Sequence, residues 1–382
     1  MKKIIMLSLS LILLLTGCAP NFNKQEEVVQ DTEDAKEKAI IPNYKISDND
    51  YQTILPFKPS KSRGLVVNNI NSKYNLSEFE TGLMRVAKNT FDPDKYVFQE
   101  GQFIESEQIK GWLNRKYTAE QLKEKKMKEE ENIGLNPADD GKEETPKYLA
   151  HVLEHDYYVK NDEGKYKLGG VVVGLALNSV YYYQKVKFGA WYETKIPHAE
   201  LEKEGKRVAD EVLNRLRKMD DLKDVPITIA LFEQQSRTSV VPGTFFTYAN
   251  AEKGSANLGG WEKIKEEYLQ FPSTEASESH RDDLNAFLNF KQDVEVYFPN
   301  FNGVIGKAFY ADGQLKQLNI SIPIQFYGKA EAVGFTQYVT GLVVKHFPAY
   351  ISVQVEVSSV NGPEGLIVRK ADQNEPFVHI YQ

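Results

Sequence analysis

The alternation of apolar and polar positions divides the chain into distinct textures. Residues 4–15 are apolar apart from Ser8 and Ser10 and follow Lys2 and Lys3. As a helix this run spans roughly 18 Å at 1.5 Å per residue. That is short of the ~20 residues of a membrane span and matches the apolar core of a signal peptide. Residues 19–59 are polar, weakly patterned and acidic-leaning, with Glu26, Glu27, Asp31, Glu33, Asp34 and Glu37. Their apolar content is too low to offset the entropy of ordering, so a flexible tether is expected to extend to residue 60. In 61–145 the spacing predicts helices. One opens on Ser77 and Glu80 as a capping box and runs through Leu83, Met84, Val86 and Ala87. Others are expected over 103–117 and 118–131, the last with a Thr118/Gln121 capping box.

From Tyr148 the texture becomes strand-like. Runs at 152–159, 166–183 and 225–232 predict strands, the first two joined by a turn at 161–164. Val208, Val212, Leu213 and Leu216 have helical spacing. Pro242-Gly243 suggests a loop over 240–251, and helices are expected over 261–269 and 281–290. Further strands follow at 294–298 and 304–310, with Asp312-Gly313 as a hairpin signal. A strand at 318–326, an amphipathic helix at 329–346 and an alternating strand at 350–357 complete the pattern. Both halves therefore read strand, turn, strand, helix, strand. The predicted class is α+β: a helical N-terminal region, then two similar β-β-α-β units with antiparallel sheets. The predicted division is 1–17 leader, 18–60 anchor and tether, 61–145 helical subdomain, 146–272 first unit and 273–382 second unit.

Composition narrows the function. Of 382 residues 41% are hydrophobic and 26% charged, which excludes global disorder and a polytopic membrane protein. A net charge of -7 argues against nucleic acid as a partner. A single cysteine excludes a disulfide framework and any Cys-rich zinc site. That residue, Cys18, ends the stretch Leu15-Thr16-Gly17-Cys18, which has the form of a lipobox: small residues at 16 and 17 fit a peptidase site, and the Cys18 thiol accepts a diacylglyceryl group. Two acyl chains suffice for stable anchoring, since each buried CH₂ contributes about 0.8 kcal/mol. Diacylglyceryl and N-acyl lipid on Cys18 are the only attached groups expected, and no separate cofactor or metal. The expected location is the extracellular face of the cell membrane, with lipoprotein-processing enzymes as partners.

Catalytic signatures are not found. His151-Val152-Leu153-Glu154-His155 has the H-x-x-E-H spacing of a zinc protease. That chemistry needs a helix, whereas these residues read as a strand, where residues 151 and 155 stand about 13 Å apart at ~3.3 Å each. They are read as two surface histidines. Gly303-Val304-Ile305-Gly306-Lys307 is too short for a P-loop. The lone thiol is committed to lipid, so no enzyme is expected. Aromatic residues make up 12%, concentrated at Tyr181-Tyr182-Tyr183, Phe245-Phe246 and Phe326-Tyr327. They suit sheet-face packing or, alternatively, a groove for a surface polymer or peptide ligand; the alternative reading of the body is such a binding module or a surface enzyme using the cleft between the two units. For such a groove between the two units the polar candidates are Glu233, Gln234, Arg237 and Ser239, with Gln325 and Lys329.

Several segments carry a family resemblance. They include Ser62-Arg63-Gly64-Leu65, Phe98-Gln99-Glu100-Gly101-Gln102, Leu175 through Tyr182, Ile229-Ala230-Leu231-Phe232, Val241-Pro242-Gly243 and Phe271-Pro272-Ser273. Phe298-Pro299-Asn300, Gly303-Val304-Ile305-Gly306, Ile324 through Lys329 and Phe335-Thr336-Gln337-Tyr338 continue it. The chain resembles the CamS family, sex-pheromone lipoproteins of low-GC Gram-positive bacteria, over nearly all of its mature length. The resemblance implies that the named activity belongs to the leader, which is released and trimmed to a short apolar mating pheromone, and not to the folded body. Here the source would be residues 11–17 or a window just upstream, whose Leu/Ile content departs from the Ala/Ile/Phe-rich peptide associated with staphylococcal members.

Overall fold

The computed structural model describes residues 26–32, 35–42, 50–65, 69–138, 140–162, 165–297, 303–325 and 328–382, with backbone alone over 26–39. The leader, Cys18 and the first part of the expected tether lie outside the described residues, as do parts of the 161–164 turn and the Phe326-Tyr327 pair.

Two sheets carry the fold, and each is built along one path. The first contains Tyr96–Glu100 (β4), Leu149–Lys160 (β5), Tyr166–Asn178 (β6), Ile227–Gln234 (β9), Thr244–Ala251 (β10) and Glu262–Lys263 (β11) as consecutive neighbours. The second contains Glu266–Phe271 (β12), Ile305–Ala311 (β13), Gln314–Pro323 (β14), Ser352–Ser359 (β15), Gly362–Arg369 (β16) and Phe377–Ile380 (β17) in the same positions. In both, the third and fourth strands are parallel and every other pairing on the path is antiparallel. The expectation of wholly antiparallel sheets is corrected here: a long helix between the two strands returns the chain to the same edge, the crossover a parallel pair requires. That helix is His198–Leu216 (α4) in the first unit and Lys329–His346 (α7) in the second. Two helices also intervene between the first and second strands of each path. They are Ser106–Trp112 (α2) and Ala119–Lys125 (α3) in one, and Thr274–Ser279 (α5) and Arg281–Tyr297 (α6) in the other. The repeat is thus real in topology and longer than β-β-α-β.

The first unit departs from the repeat at one point. Directly after β6 the chain forms a separate two-stranded hairpin, Val180–Gln184 (β7) with Trp191–Lys195 (β8). The expected single strand over 166–183 is therefore two strands. At the matching point β14 runs to α7 through only residues 324–328.

Layering explains the sequence texture. Val171, Val173 and Leu175 face Val208, Val212 and Leu213 of α4. Val172 and Ala176 face the other way, toward Phe79 and Leu83 of Lys73–Ala87 (α1). Covered on both faces, β6 reads as a continuous apolar run. In the second sheet Val353, Val355 and Val357 are buried while Gln354 and Glu356 are exposed, so β15 alternates. Each fully buried aliphatic side chain contributes about 1.5–3 kcal/mol.

Several boundaries move. The helix expected from Ser77 begins at Lys73, because Ser72 caps it by accepting from the Asn75 N–H at 3.2 Å. The helices at 103–117 and 118–131 shorten to α2 and α3, the latter with the Thr118/Gln121 capping box in place. The 240–251 loop is mostly strand β10, whose burial alternates. The 261–269 helix is strands β11 and β12, and β12 pairs in the second sheet, so that unit starts near Glu266. Of the strand expected at 294–298, residues 294–297 are the last turn of α6 and residue 298 lies outside the described residues. Residues 61–145 form no separate subdomain, since α1 covers the first sheet and β4 belongs to it.

The expected tether is partly sheet. Glu26–Thr32 (β1) and Ala35–Ile41 (β2) pair antiparallel, and β1 touches β6 at Gln30 and Tyr166. Gln52–Thr53 (β3) lies parallel to β4, and Ile41 and Ile54 are buried beside Val97 and Tyr166. A few isoleucines in a polar stretch are enough to dock it where a sheet edge stands open.

Where the two units meet, Arg85 of α1 pairs with Glu266 at 2.8 Å and with Glu78, and Tyr268 donates to Glu78 at 2.7 Å. The Arg85 guanidinium lies 4.7 Å from the Phe309 ring. This contact is filled by an ion-pair network.

Candidate functional site

The carboxyl ends of parallel strands gather backbone and side-chain polar groups at one edge of a sheet, which is where ligands bind in many α/β sheets. Strands β6 and β9 end together at Asn178 and Gln234. The Gln234 carboxamide donates to Asn178 Oδ1 at 2.6 Å and accepts the Asn71 N–H at 2.8 Å, and Ser179 donates to its carbonyl at 2.6 Å. Gln234, completely buried, ties both strands to the residues before α1.

Above this tie lies a cavity of about 430 Å³. Lys110, Lys147, Arg237, Asn69, Asn71, Asn114, Asn178, Tyr181 and Tyr182 line it with aliphatic groups, and no carboxylate does. The hairpin inserted after β6 forms one wall. Tyr181, Tyr183 and Tyr192 stack along its face with centroids 5.8 and 5.7 Å apart. The Arg237 guanidinium lies 4.2 Å from the Tyr182 ring and 4.8 Å from the Trp191 ring. Arg115, behind Tyr181, donates to its hydroxyl at 3.3 Å and to the carbonyls of Thr145, Pro137 and Pro146. Burial, followed by the nearby Arg115 charge, holds the Lys147 ammonium below the usual lysine range.

The loop carrying Arg237 is held from below. Asn75, fully buried in the first turn of α1, accepts from the N–H groups of Gln235 and Gly243 at 3.0 and 2.8 Å. Its amide donates to the Gln235 carbonyl at 3.1 Å. At Gly243 an added Cβ would stand 1.8 Å from the Glu233 carbonyl oxygen, so only glycine passes there.

Of the six polar candidates, Arg237 alone lines the cavity. Gln234 is structural, and Glu233 bonds His198 Nδ1 at 2.6 Å. Ser239 closes a turn by donating to the Val241 carbonyl at 2.7 Å. Lys329 pairs with Glu364 at 3.0 Å, and Gln325 is exposed after β14. No hydrogen bond or ion pair among the described residues joins these two to Arg237. Lys147 and Arg115 were not singled out by sequence. Their only signal was position next to the Tyr181-Tyr182-Tyr183 run once the sheet had closed.

The H-x-x-E-H segment is strand β5, as expected, but its histidines are not at the surface. His151 and His155 are 1% and 2% exposed, edge-on to Phe79 and Phe98. Burial lowers them to about 4 and about 3. Glu154 projects from the opposite face, with Asp156 beside it, under a loop formed by residues 101–104. The N–H of Ile104 donates to Glu154 at 2.9 Å, those of Phe103 and Gln102 to Glu154 and Asp156 at 3.2 and 2.9 Å. Gly101 lets the loop approach, since a Cβ there would meet Glu154 at 2.5 Å. Burial pushes Glu154 up to about 7, against the opposing backbone N–H bonds. Burial first, then the Glu154 charge, pushes Asp156 well above the carboxylate range. Two neighbouring carboxyl groups in such a site disfavour joint ionisation, and Asp156 Oδ1 has no hydrogen-bond partner among the described residues. No group of three or more metal-ligating side chains occurs among the described residues.

A second depression, of about 600 Å³, lies at the end of α7 beside His346, Pro348 and Arg369. Its side chains are bonded within the fold: Asp293 takes His346 and Lys345 at 2.7 Å each, and the buried Arg369 caps the carbonyls of Phe347 and Val343 at 2.9 and 3.5 Å, its Nε alone lacking a partner among the described residues.

Two successive copies of one sheet path, the first modified by an inserted aromatic hairpin, define a tandem α+β body. The chain belongs to the CamS sex pheromone cAM373 precursor family, which it matches over residues 57–375. It is similar to the crystal structure of a sex pheromone precursor from Lactobacillus salivarius subsp. salivarius UCC118. That likeness has a TM-score of 0.80 and 32% identity, covering 89% of this chain and 98% of that one. The C-terminal domain of the sex pheromone staph-cAM373 precursor from Staphylococcus aureus is also similar, with TM-score 0.71 and 37% identity over 82% of this chain and 98% of that one. No curated protein matches the chain.

Proposed function

We propose that this chain is an exported lipoprotein, held on the outer face of the cell membrane of a Gram-positive bacterium by lipid on Cys18. Its released leader, residues 1–17, is trimmed to a short apolar signalling peptide. The folded body performs no catalysis. The observation that carries this reading is the single cysteine of the chain, placed directly after Leu15-Thr16-Gly17 and an apolar run, in a member of a pheromone-precursor family. The non-catalytic body is supported by the buried acid pair. Glu154 and Asp156 are 1% and 0% exposed and already accept backbone N–H groups, so no substrate reaches them.

Replacing Cys18 by alanine is expected to abolish palmitate labelling and release the body from the membrane fraction. A labelled, membrane-bound Cys18→Ala chain would refute the anchor. A leader exchange tests the peptide. The leader and lipobox fused to an unrelated exported domain should yield any mating response in responder cells. An unrelated lipoprotein leader fused to the body from Ala19 onward should yield none. Activity that followed the body would overturn the precursor reading.

A further inference from the structure

Of the cations lining the cavity beside the inserted hairpin, Lys110 pairs with Glu107 at 2.6 Å, whereas no carboxylate among the described residues pairs with Lys147 or Arg237. Lys147 has no hydrogen-bond or ion-pair partner for its ammonium among the described residues. Arg115 is satisfied only by carbonyl oxygens and a phenol. Arg237 is sandwiched by two aromatic rings, and no carboxylate pairs with it. Glu193, opposite Tyr182 across the hairpin, is exposed and forms no ion pair. In a chain of net charge -7, Lys147 and Arg237 on one cavity without an acid, with Arg115 behind them, are an unfavourable arrangement for the empty protein, most of all at the half-buried Lys147. Partly buried charge is costly unless it is paired.

The cavity's other groups narrow what could pair with them. Carboxamides such as Asn69 and Asn114 offer donors and acceptors suited to hydroxyl groups. The faces of Tyr181 and Tyr182 offer flat apolar surface. An apolar peptide of the leader type would leave Lys147 unpaired in a dried site, a loss exceeding its gain. A single carboxylate carries one charge against the two unpaired cations Lys147 and Arg237, whereas a phosphate monoester carries nearly two negative charges and three acceptor oxygens. Stacked on its rings, Arg237 keeps its N–H edge free for such oxygens. The volume of about 430 Å³ is that of a small-molecule site.

We infer that this cavity binds a phosphorylated sugar or polyol, with phosphate held by Lys147 and Arg237 and hydroxyl groups by the carboxamides. The inference deepens the reading of the body as a non-catalytic surface module. It also accounts for the insertion: among the described residues the second unit, without the hairpin, has no counterpart of the Tyr182–Arg237–Trp191 stack.

The test is calorimetric titration of the full chain in detergent with glucose 1-phosphate, glycerol 3-phosphate, glucose and inorganic phosphate. At least one of the two phosphate esters should bind, and glucose should bind at least tenfold more weakly. Lys147→Met and Arg237→Ala should each weaken the ester at least tenfold, while Lys147→Arg retains most of the affinity. Thermal unfolding of each variant confirms that it is folded, and Lys147→Met keeps the apolar stem to favour that. Absence of binding by both esters would overturn the inference. So would undiminished affinity in both folded loss variants, or inorganic phosphate binding as tightly as the esters. A chain that is membrane-anchored through Cys18 yet binds neither ester fails this inference alone and leaves the lipoprotein reading standing.

Discussion

Asn75→Ala is expected to destabilise the protein by roughly 2 kcal/mol or more, because two backbone N–H groups lose their acceptor at about 1–3 kcal/mol each. Those groups belong to Gln235 and Gly243 and are met by one fully buried side chain, while the Gln235 carbonyl keeps the Asn71 amide as a donor at 3.1 Å. Gly243 cannot shift to compensate, since it already passes against the Glu233 carbonyl. At about 2–4 °C per kcal/mol for a body of this size, the melting temperature should fall by roughly 4–8 °C. Circular dichroism on heating measures it directly. Asn75→Asp should fall less, because its carboxylate still accepts both N–H groups. A shift under about 2 °C for Asn75→Ala would mean that the 235–243 loop is held by something other than this carboxamide. Because the loop carries Arg237, Asn75→Ala should also loosen one wall of the cavity.

The second large effect is a pH dependence of stability that Asp156→Asn weakens by removing the Asp156 share. Glu154 is raised to about 7 and Asp156 well above the carboxylate range, both mainly by burial. A carboxyl group whose folded value is raised stabilises fully below its unfolded value, near 4, and that contribution is lost as pH rises through the folded value. Across pH 4–7 the wild type should therefore lose stability from both groups, up to roughly 3 kcal/mol from Glu154 alone at 1.36 kcal/mol per unit. The histidines on the opposite face act in reverse. Lowered to about 4 and about 3, His151 and His155 contribute stability above pH 6.5 that is lost as pH falls through those values. They are common to both chains and cancel in a difference. In Asp156→Asn the amide donates permanently to Glu154 and still accepts the Gln102 N–H, imitating the protonated acid. The stability of the variant minus that of the wild type should rise with pH between about 4 and 7, read from urea unfolding at several pH values. Parallel profiles for the two chains would show that Asp156 has no such share.

Local chemistry was legible wherever it acts through neighbouring residues. The Asp312-Gly313 hairpin is present with φ of 51° and 74°, the two positive angles that this dipeptide favours. The helix over 329–346 has its expected bounds, and β15 alternates as read. The misread segments share one physical cause. In 261–269 the Glu and Lys residues have helical propensity, yet Tyr268 and Leu269 pair with β13, so tertiary pairing overrides a weak local preference. In 244–251 the strand follows Pro242-Gly243, whose turn chemistry masked the alternation. His151 and His155 looked like surface residues because charged and polar types are seldom buried. Burial arose only when α1 and the Phe98 strand closed over them.

By itself the sequence determined the α+β class, the two-unit order and the family. Each is written in residues close together along the chain or in a pattern that needs no partner. Only the tertiary structure decided that the third and fourth strands of each sheet run parallel, that Glu154 and Asp156 share a dry niche, and that Lys147 and Arg237 line one cavity with Arg115 behind its Tyr181 wall. Those three cations lie far apart in sequence, and their meeting depends on the crossover through α4 and on the hairpin inserted after β6. Local propensity carries no information about such encounters, because the free energy that fixes them comes from apolar faces burying one another across the whole unit.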